Sequence, residues 1–359
     1  MPDHGAIDRR DFLAAAGAAF AAMLEPRAAA ALEDAEAVFA AAYRAPDGHY
    51  GVATLAPDGA VVHAWRLPGR GHDVVTHPAS GRSAVFARRP GTFGVAFDAR
   101  FGQPPRSFSA PPGRHFYGHG AYSADGRLLY ATENDFDNAR GVIGVYDATD
   151  GYGRTGELAS HGVGPHEVLL MPDGHTLAVA NGGIETHPDF GRTILNAAAM
   201  QPSIAFVDTK HGDLVARHEL PKELSRLSTR HLDVDAEGRL WFGCQYHGEP
   251  VDAVPLVGNA AAGEPLRWLK LPREAGSALL NYVGSIAVNR RSGVVGITSP
   301  KGNAAVEIRP DDPRGAVIRR LDKVSGLAPA GAGFAYASMA GGFDGRATLE
   351  LWDNHVRPI

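Results

Sequence analysis

The chain has almost no cysteine: Cys244 is the single one in 359 residues, so no disulfide can form within it. That residue ends an apolar segment, which reads either as a thiolate ligand or, the commoner use, as an inert buried thiol. Runs of Lys or Arg are missing, and the formal net charge is −5, which leaves no electrostatic footprint for nucleic acid or an anionic membrane surface. No Gly-x-Ser-x-Gly segment and no phosphate-binding loop occurs, so a serine hydrolase or nucleotide enzyme has no motif to rest on. A short metal-ligand spacing such as His-Glu-x-x-His is absent as well.

What is abundant is turn chemistry. Gly (44) and Pro (25) exceed average usage and sit in scattered clusters, the punctuation of many short strands. The segment HEVLLMPDG at 166–174 reads as a strand entered through a histidine and closed by a Pro-Asp-Gly turn, and 175–183 as a second strand leaving through Asn-Gly-Gly. Variants recur as HDVVTHPASG at 72–81, HGAYSADG at 119–126 and HLDVDAEG at 231–238, with weaker copies at 285–293 and 325–333. His72, His119 and His166 follow one another at equal intervals of 47 residues, which marks an internal repeat.

Each repeat predicts four short strands, and four strands every ~40 to 50 residues is the period of a β-propeller. The chain is therefore expected to be all-β, with a single propeller over 36–359. Five units are well formed and a sixth, ending in a strand over 348–352, lacks its last strand; three amino-terminal strands, over 37–44, 50–56 and 61–67, are left to pair elsewhere. Seven blades with shared ring closure is the preferred count, six the alternative, and a pair of sandwiches the competing architecture.

In a propeller the first strand of each unit lines the central channel and the second returns beside it, so the start of one and the end of the other share a face. His72, His119, His166 and His231 are then expected to ring one mouth, with Ser285 and Gly326 at the equivalent places in the weaker units. Imidazoles converging with carboxylates suit iron, copper or zinc; structural capping and acid-base catalysis are the competing readings. Loops after the second strands add Glu133, Asn181, Glu185, His187, Gln245, His247 and Lys301 as candidates to bind a ligand or partner. Arg89, Arg114, Arg230 and Lys301 fall near the same face and suit either an anionic ligand or surface ion pairs.

At the amino terminus Arg9 and Arg10 precede an alanine-rich apolar run and a small-residue site, the pattern of a twin-arginine export signal over 1–31 and hence of a periplasmic protein. The run falls well short of the roughly 20 residues of a membrane-spanning helix. Segments 115–134, 141–147, 160–167 and 181–192, together with Leu195, Asn196, 200–203 and 255–257, resemble the DUF1513 family. The resemblance implies a propeller similar to the YVTN and quinoprotein amine dehydrogenase β-chain types, export, and an association with iron acquisition beside imelysin-like or haem proteins. It implies no reaction and no catalytic residues. The expectation is an accessory propeller that binds a transition metal or a metal-bearing partner at the histidine-lined mouth; an enzyme acting on a lactone or sugar derivative and a scaffold without chemistry are the alternatives.

Overall fold

Strands that are buried on both faces should be apolar throughout, whereas an outermost strand should alternate. Thr176–Asn181 is buried at every position, and Gly153–Ala159, the fourth strand of its sheet, alternates between exposed and half-buried. This gradient repeats from sheet to sheet in the computed structural model, which describes residues 38–99, 104–191, 193–249 and 252–359. The expected export signal over 1–31 lies outside the described residues. No helix among the described residues is long and apolar enough to cross a membrane.

Seven antiparallel sheets form the blades of a propeller, six with four strands and one with three. Blades 2 to 6 begin with innermost strands Gly71–Thr76, Arg114–Tyr122, Pro165–Leu170, Leu227–Val234 and Ser285–Asn289. Blade 7 holds only Val324–Ala330, Gly333–Ser338 and Gly342–Phe343. Blade 1 combines both ends of the chain: Leu351–Pro358 is innermost, followed by Phe39–Arg44, Tyr50–Leu55 and Val61–Arg66. Leu351–Pro358 packs against the innermost strands of blades 7 and 2, which closes the ring. The three amino-terminal strands thus find their partner in a carboxy-terminal strand that runs to Pro358, past the expected end at residue 352.

Side chains packed between blades hold this closure. Trp352, on the closing strand, is fully buried beside Phe343 of blade 7 and Tyr43 of blade 1, with ring centroids 6.3 and 5.9 Å away. Phe86 of blade 2 meets Phe116 of blade 3 at 5.4 Å. Truncating a core aromatic of this kind to alanine costs about 3–5 kcal/mol.

The innermost strands are irregular where they line the channel. Pairing registers shift across His72 and Asp73, across 117–119, across His166, at Arg230 and at Ser325. A sixth shift falls where Leu351–Pro358 pairs with Phe39–Arg44, across 353–355. Bulges of this kind re-aim a side chain out of the alternating pattern, here toward the channel axis. Blade 6, which contributes Ser285 instead of a histidine, keeps an unbroken register.

Candidate metal centre

The bulged strands bring five histidines together in the channel: His72, His119, His166 and His231, and a fifth, His355, on the closing strand. They lie inside the channel rather than at its mouth, none more than 7% exposed. Six of the ring pairs have centroids 4.8–5.0 Å apart. Imidazole nitrogens about 2.1 Å from one ion would place neighbouring centroids about 4.6–5.3 Å apart, between octahedral and tetrahedral angles. Two gaps are wider, His72 to His166 at 6.0 Å and His119 to His231 at 5.9 Å. Ligand atoms of His72, His119 and His166 lie within 4.8 Å of one another, as do those of His119, His231 and His355.

Carboxylates orient the rings. His119 Nδ1 donates to Asp73 Oδ2 at 2.8 Å, His231 Nδ1 to Glu167 Oε2 at 3.3 Å, and His72 Nδ1 to Asp353 Oδ1 at 3.0 Å. His355 Nδ1 shares a hydrogen bond of 3.2 Å with Ser285 Oγ. A neutral ring that donates through Nδ1 keeps its lone pair on Nε2. His119 Nε2, His231 Nε2, His355 Nε2 and His166 Nδ1 are buried without hydrogen-bond partners in the protein. Glu167 Oε2 also stands 3.5 Å from His119 Nδ1, so this carboxylate bridges the Nδ1 atoms of His119 and His231, on the side away from their free Nε2 atoms.

Below the imidazoles lies a charged layer. Arg357 holds Asp73 through Nε–Oδ1 at 2.9 Å and Nη2–Oδ2 at 2.7 Å, and reaches Glu167 Oε1 at 2.6 Å. Burial alone would raise the Asp73 and Glu167 carboxyls, but Arg357 and the neighbouring imidazoles hold both below the ordinary range. Burial likewise opposes ionisation of Asp353, and its bond to His72 with the charges of Arg88 and Arg70 still brings it to about 2. The imidazoles move the other way: burial pushes His72 down to about 3 and His231 to about 4, and drives His166 and His355 well below the usual histidine value. These four rings are therefore neutral at physiological pH, the form in which an imidazole nitrogen can bind a metal.

The cluster separates two cavities. One, of about 700 Å³, opens beyond Arg357 and is bordered by Asp73, Glu167 and Asp233. The other, of about 220 Å³, has His72 and His166 on its wall together with Arg88, Arg89, Arg230, Gln245 and His247. Lys301 sits at its rim, with Nζ 4.4 Å from the centroid of the Tyr282 ring.

Other residues expected near the mouth have different places. Glu133 belongs to the strand Leu128–Asp135, which runs further than the sequence suggested, and is buried against Tyr146, Arg154 and Arg114. It is therefore held within its own blade rather than in a loop open to a ligand or partner, and Arg114 serves that ion-pair network. Asn181 is buried and donates to the Ser160 carbonyl at 2.8 Å. Glu185 is half-buried and anchored through its backbone N–H to Asn196 Oδ1 at 2.8 Å. His187 caps a short 3-10 helix, Pro188–Phe190, on the outer loop and faces Phe136 at 4.9 Å. Cys244 is fully buried in an apolar cluster, where burial raises its thiol, and it belongs to none of the groups of mutually close ligand atoms among the described residues. The sequence reading missed His355, Asp353 and Arg357; three unpartnered amino-terminal strands were the signal that a closing strand lay beyond residue 352.

Comparison with known proteins agrees with this architecture. The fold is shared by 973 solved chains, so it marks architecture rather than activity. Hydrazine synthase of Kuenenia stuttgartiensis superposes with a TM-score of 0.59 at 15% identity, covering 82% of this chain and 91% of that one. A chain of a nidogen/laminin complex gives 0.50 at 11% identity, covering 89% of this chain and 98% of that one. No curated protein matches the sequence. Residues 65–358 match the family described as "Protein of unknown function (DUF1513)", and the chain belongs to that family.

Proposed function

Taking the chain as a member of the DUF1513 family, we propose that it binds one transition-metal ion among His72, His119, His166, His231 and His355. The observation that carries this reading is the set of four buried ring nitrogens without partners, on rings of which His119 and His231 are fixed from behind by carboxylates and His355 by the Ser285 hydroxyl. Each buried polar atom left unsatisfied costs about 1–3 kcal/mol. A single water offers only two donors and cannot serve four converging lone pairs, whereas one cation can. Carboxylates on the far nitrogens of metal-binding histidines fix the tautomer and raise ligand basicity. An all-imidazole donor set suits zinc, copper or iron, and such an ion would supply Lewis acidity or redox chemistry.

The rival readings fit less well. A general base works best with a pKa near the operating pH, and His72, the ring oriented by Asp353 at the smaller cavity, stands at about 3. A docking scaffold would present an apolar patch at the mouth, where three arginines stand instead. A periplasmic role accessory to iron acquisition, with imelysin-like or haem proteins as partners, is proposed on the family resemblance alone.

The test is thermal unfolding of chelator-stripped full chain with and without zinc, copper(II) or iron(II). Metal at 100 times its Kd should stabilise the fold by about 2.7 kcal/mol. The shift should vanish in a folded His119→Ala/His231→Ala variant. No shift with any of the three ions would sink the proposal.

A further inference from the structure

The smaller cavity has a charge and a shape that the imidazole cluster does not explain. Arg88, Arg89 and Arg230 line it, and no Asp or Glu is among its lining residues. Asp353, just outside the lining, is held by Arg70 at 2.5 Å and by His72, and it reaches Arg88 Nη1 only at 3.5 Å. Arg230 is only 6% exposed, a buried cation immediately before a cluster ligand, and it is the bulged residue of its strand. Tyr117 also lines this space, and its hydroxyl is buried with no hydrogen-bond partner of normal length. On the same wall His247 is pushed down to about 4, first by burial and then by Arg230, Lys301 and Arg89 acting in the same direction.

The position of the cavity is equally specific. His72 and His166 are the cluster members that line it, and the gap between them, 6.0 Å, is the widest between neighbouring rings. Because these two rings border the cavity, the gap between them is where an exogenous ligand would reach an ion held by the five rings. A working metal site keeps such a position open. A volume of about 220 Å³ corresponds to about seven waters at liquid density, enough for a small anion and too little for a drug-sized ligand.

We propose that this cavity binds a small oxyanion, a carboxylate or a phosphate, on Arg88, Arg89 and Arg230, and presents one of its oxygens between His72 and His166. Guanidinium forks match both oxyanions in bidentate fashion, and the Tyr117 hydroxyl supplies a further donor. The anion site stands on the cavity itself; delivery of the oxygen to a metal rests on the reading of the histidines as a metal centre.

Chelator-stripped full chain is titrated calorimetrically with malonate and, separately, with inorganic phosphate, at low salt. The parent should bind at least one of them saturably, and the tighter of the two identifies the carboxylate or the phosphoryl class. Arg89→Gln and Arg230→Gln should each weaken that binding tenfold or more, while Arg309→Gln, on the outer surface beside Asp311, should not change it. Thermal melts establish that each variant is folded, and half-buried Arg89 keeps the test available if Arg230→Gln fails to fold. Absence of binding for both anions, or parent-like binding in folded Arg89→Gln, overturns the anion site. In copper(II)-loaded chain the bound anion should shift the visible absorption band; no shift at saturating anion overturns delivery to the metal. Anion binding by a chain that takes up no metal would refute the metal reading and leave the anion site standing.

Discussion

Replacing Arg357 with glutamine tests whether the charged layer under the histidines holds the channel together. The side chain neutralises Asp73 and Glu167, themselves 5% and 4% exposed, through three contacts of 2.6–2.9 Å. Removing one partner of a buried ion pair costs about 3–5 kcal/mol, because the remaining charge stays buried without compensation. Arg357 itself is 23% exposed toward the wider cavity, which places the expectation at the lower end of that range. With roughly 320 ordered residues, an unfolding entropy of about 0.7 kcal/mol/K converts about 3 kcal/mol into a Tm lower by about 4 °C. Asp73 and Glu167 have folded-state pKa values below their unfolded ones, so their contribution is present above about pH 4 and is lost as the pH falls. The deficit of Arg357→Gln should therefore be large at pH 7 and shrink in acid. Adding Asp73→Asn to the variant should recover part of the loss, since the uncompensated charge is then removed. Calorimetry of the metal-free chain at pH 7 and pH 4 reads all of this. A variant that melts within about 1 °C of the parent at pH 7 refutes the reasoning.

Gly118→Ala introduces a Cβ 2.6 Å from His72 Cδ2 at a residue with φ of 111°, so it should displace that ring and lower metal affinity at least tenfold while costing about 1–3 kcal/mol; unchanged affinity by chelator competition would show that His72 is not a ligand. Glu157, held at about 2 chiefly by its hydrogen bond to Arg114, contributes stability that is present above about pH 4 and disappears toward pH 2. Being 31% exposed it is worth about 1 kcal/mol, so Glu157→Gln should lower the urea midpoint at pH 7 and converge on the parent in acid; a gap that widens in acid contradicts this. Cys244 is fully buried with its thiol raised, so iodoacetamide at pH 8 should leave it unmodified in folded protein and label it after denaturation; rapid native labelling would place it at an accessible site.

The repeat was readable because a blade copies its tight Asp-Gly turns and its buried strands, and these are local. His72, His119 and His166 at equal spacing occupy equivalent places in consecutive blades, so their approach to one axis follows from topology. How deep they sit does not follow from spacing. It depends on bulges at Asp73, Arg230 and elsewhere, which arise from pairing between strands and leave no fixed pattern in one strand's residues. His355 and Arg357 lay in a strand whose role is set only when the ring closes, since an innermost strand at one end of the chain completes a sheet begun at the other. Glu133 misled for a related reason: an acid near the end of a strand resembles a loop residue until the strand's length is known, and here it is buried within its own blade.

The most direct test of the central claim is X-ray absorption spectroscopy with metal quantification on full chain isolated without chelator or affinity tag. The account predicts close to one zinc, copper or iron per chain and a first shell of imidazole nitrogens at about 2.0–2.1 Å, carrying the outer-shell scattering of histidine rings. That shell should be lost in folded His119→Ala/His231→Ala. A chain that carries no such metal and takes none up, or a metal surrounded by oxygen ligands alone, would contradict it.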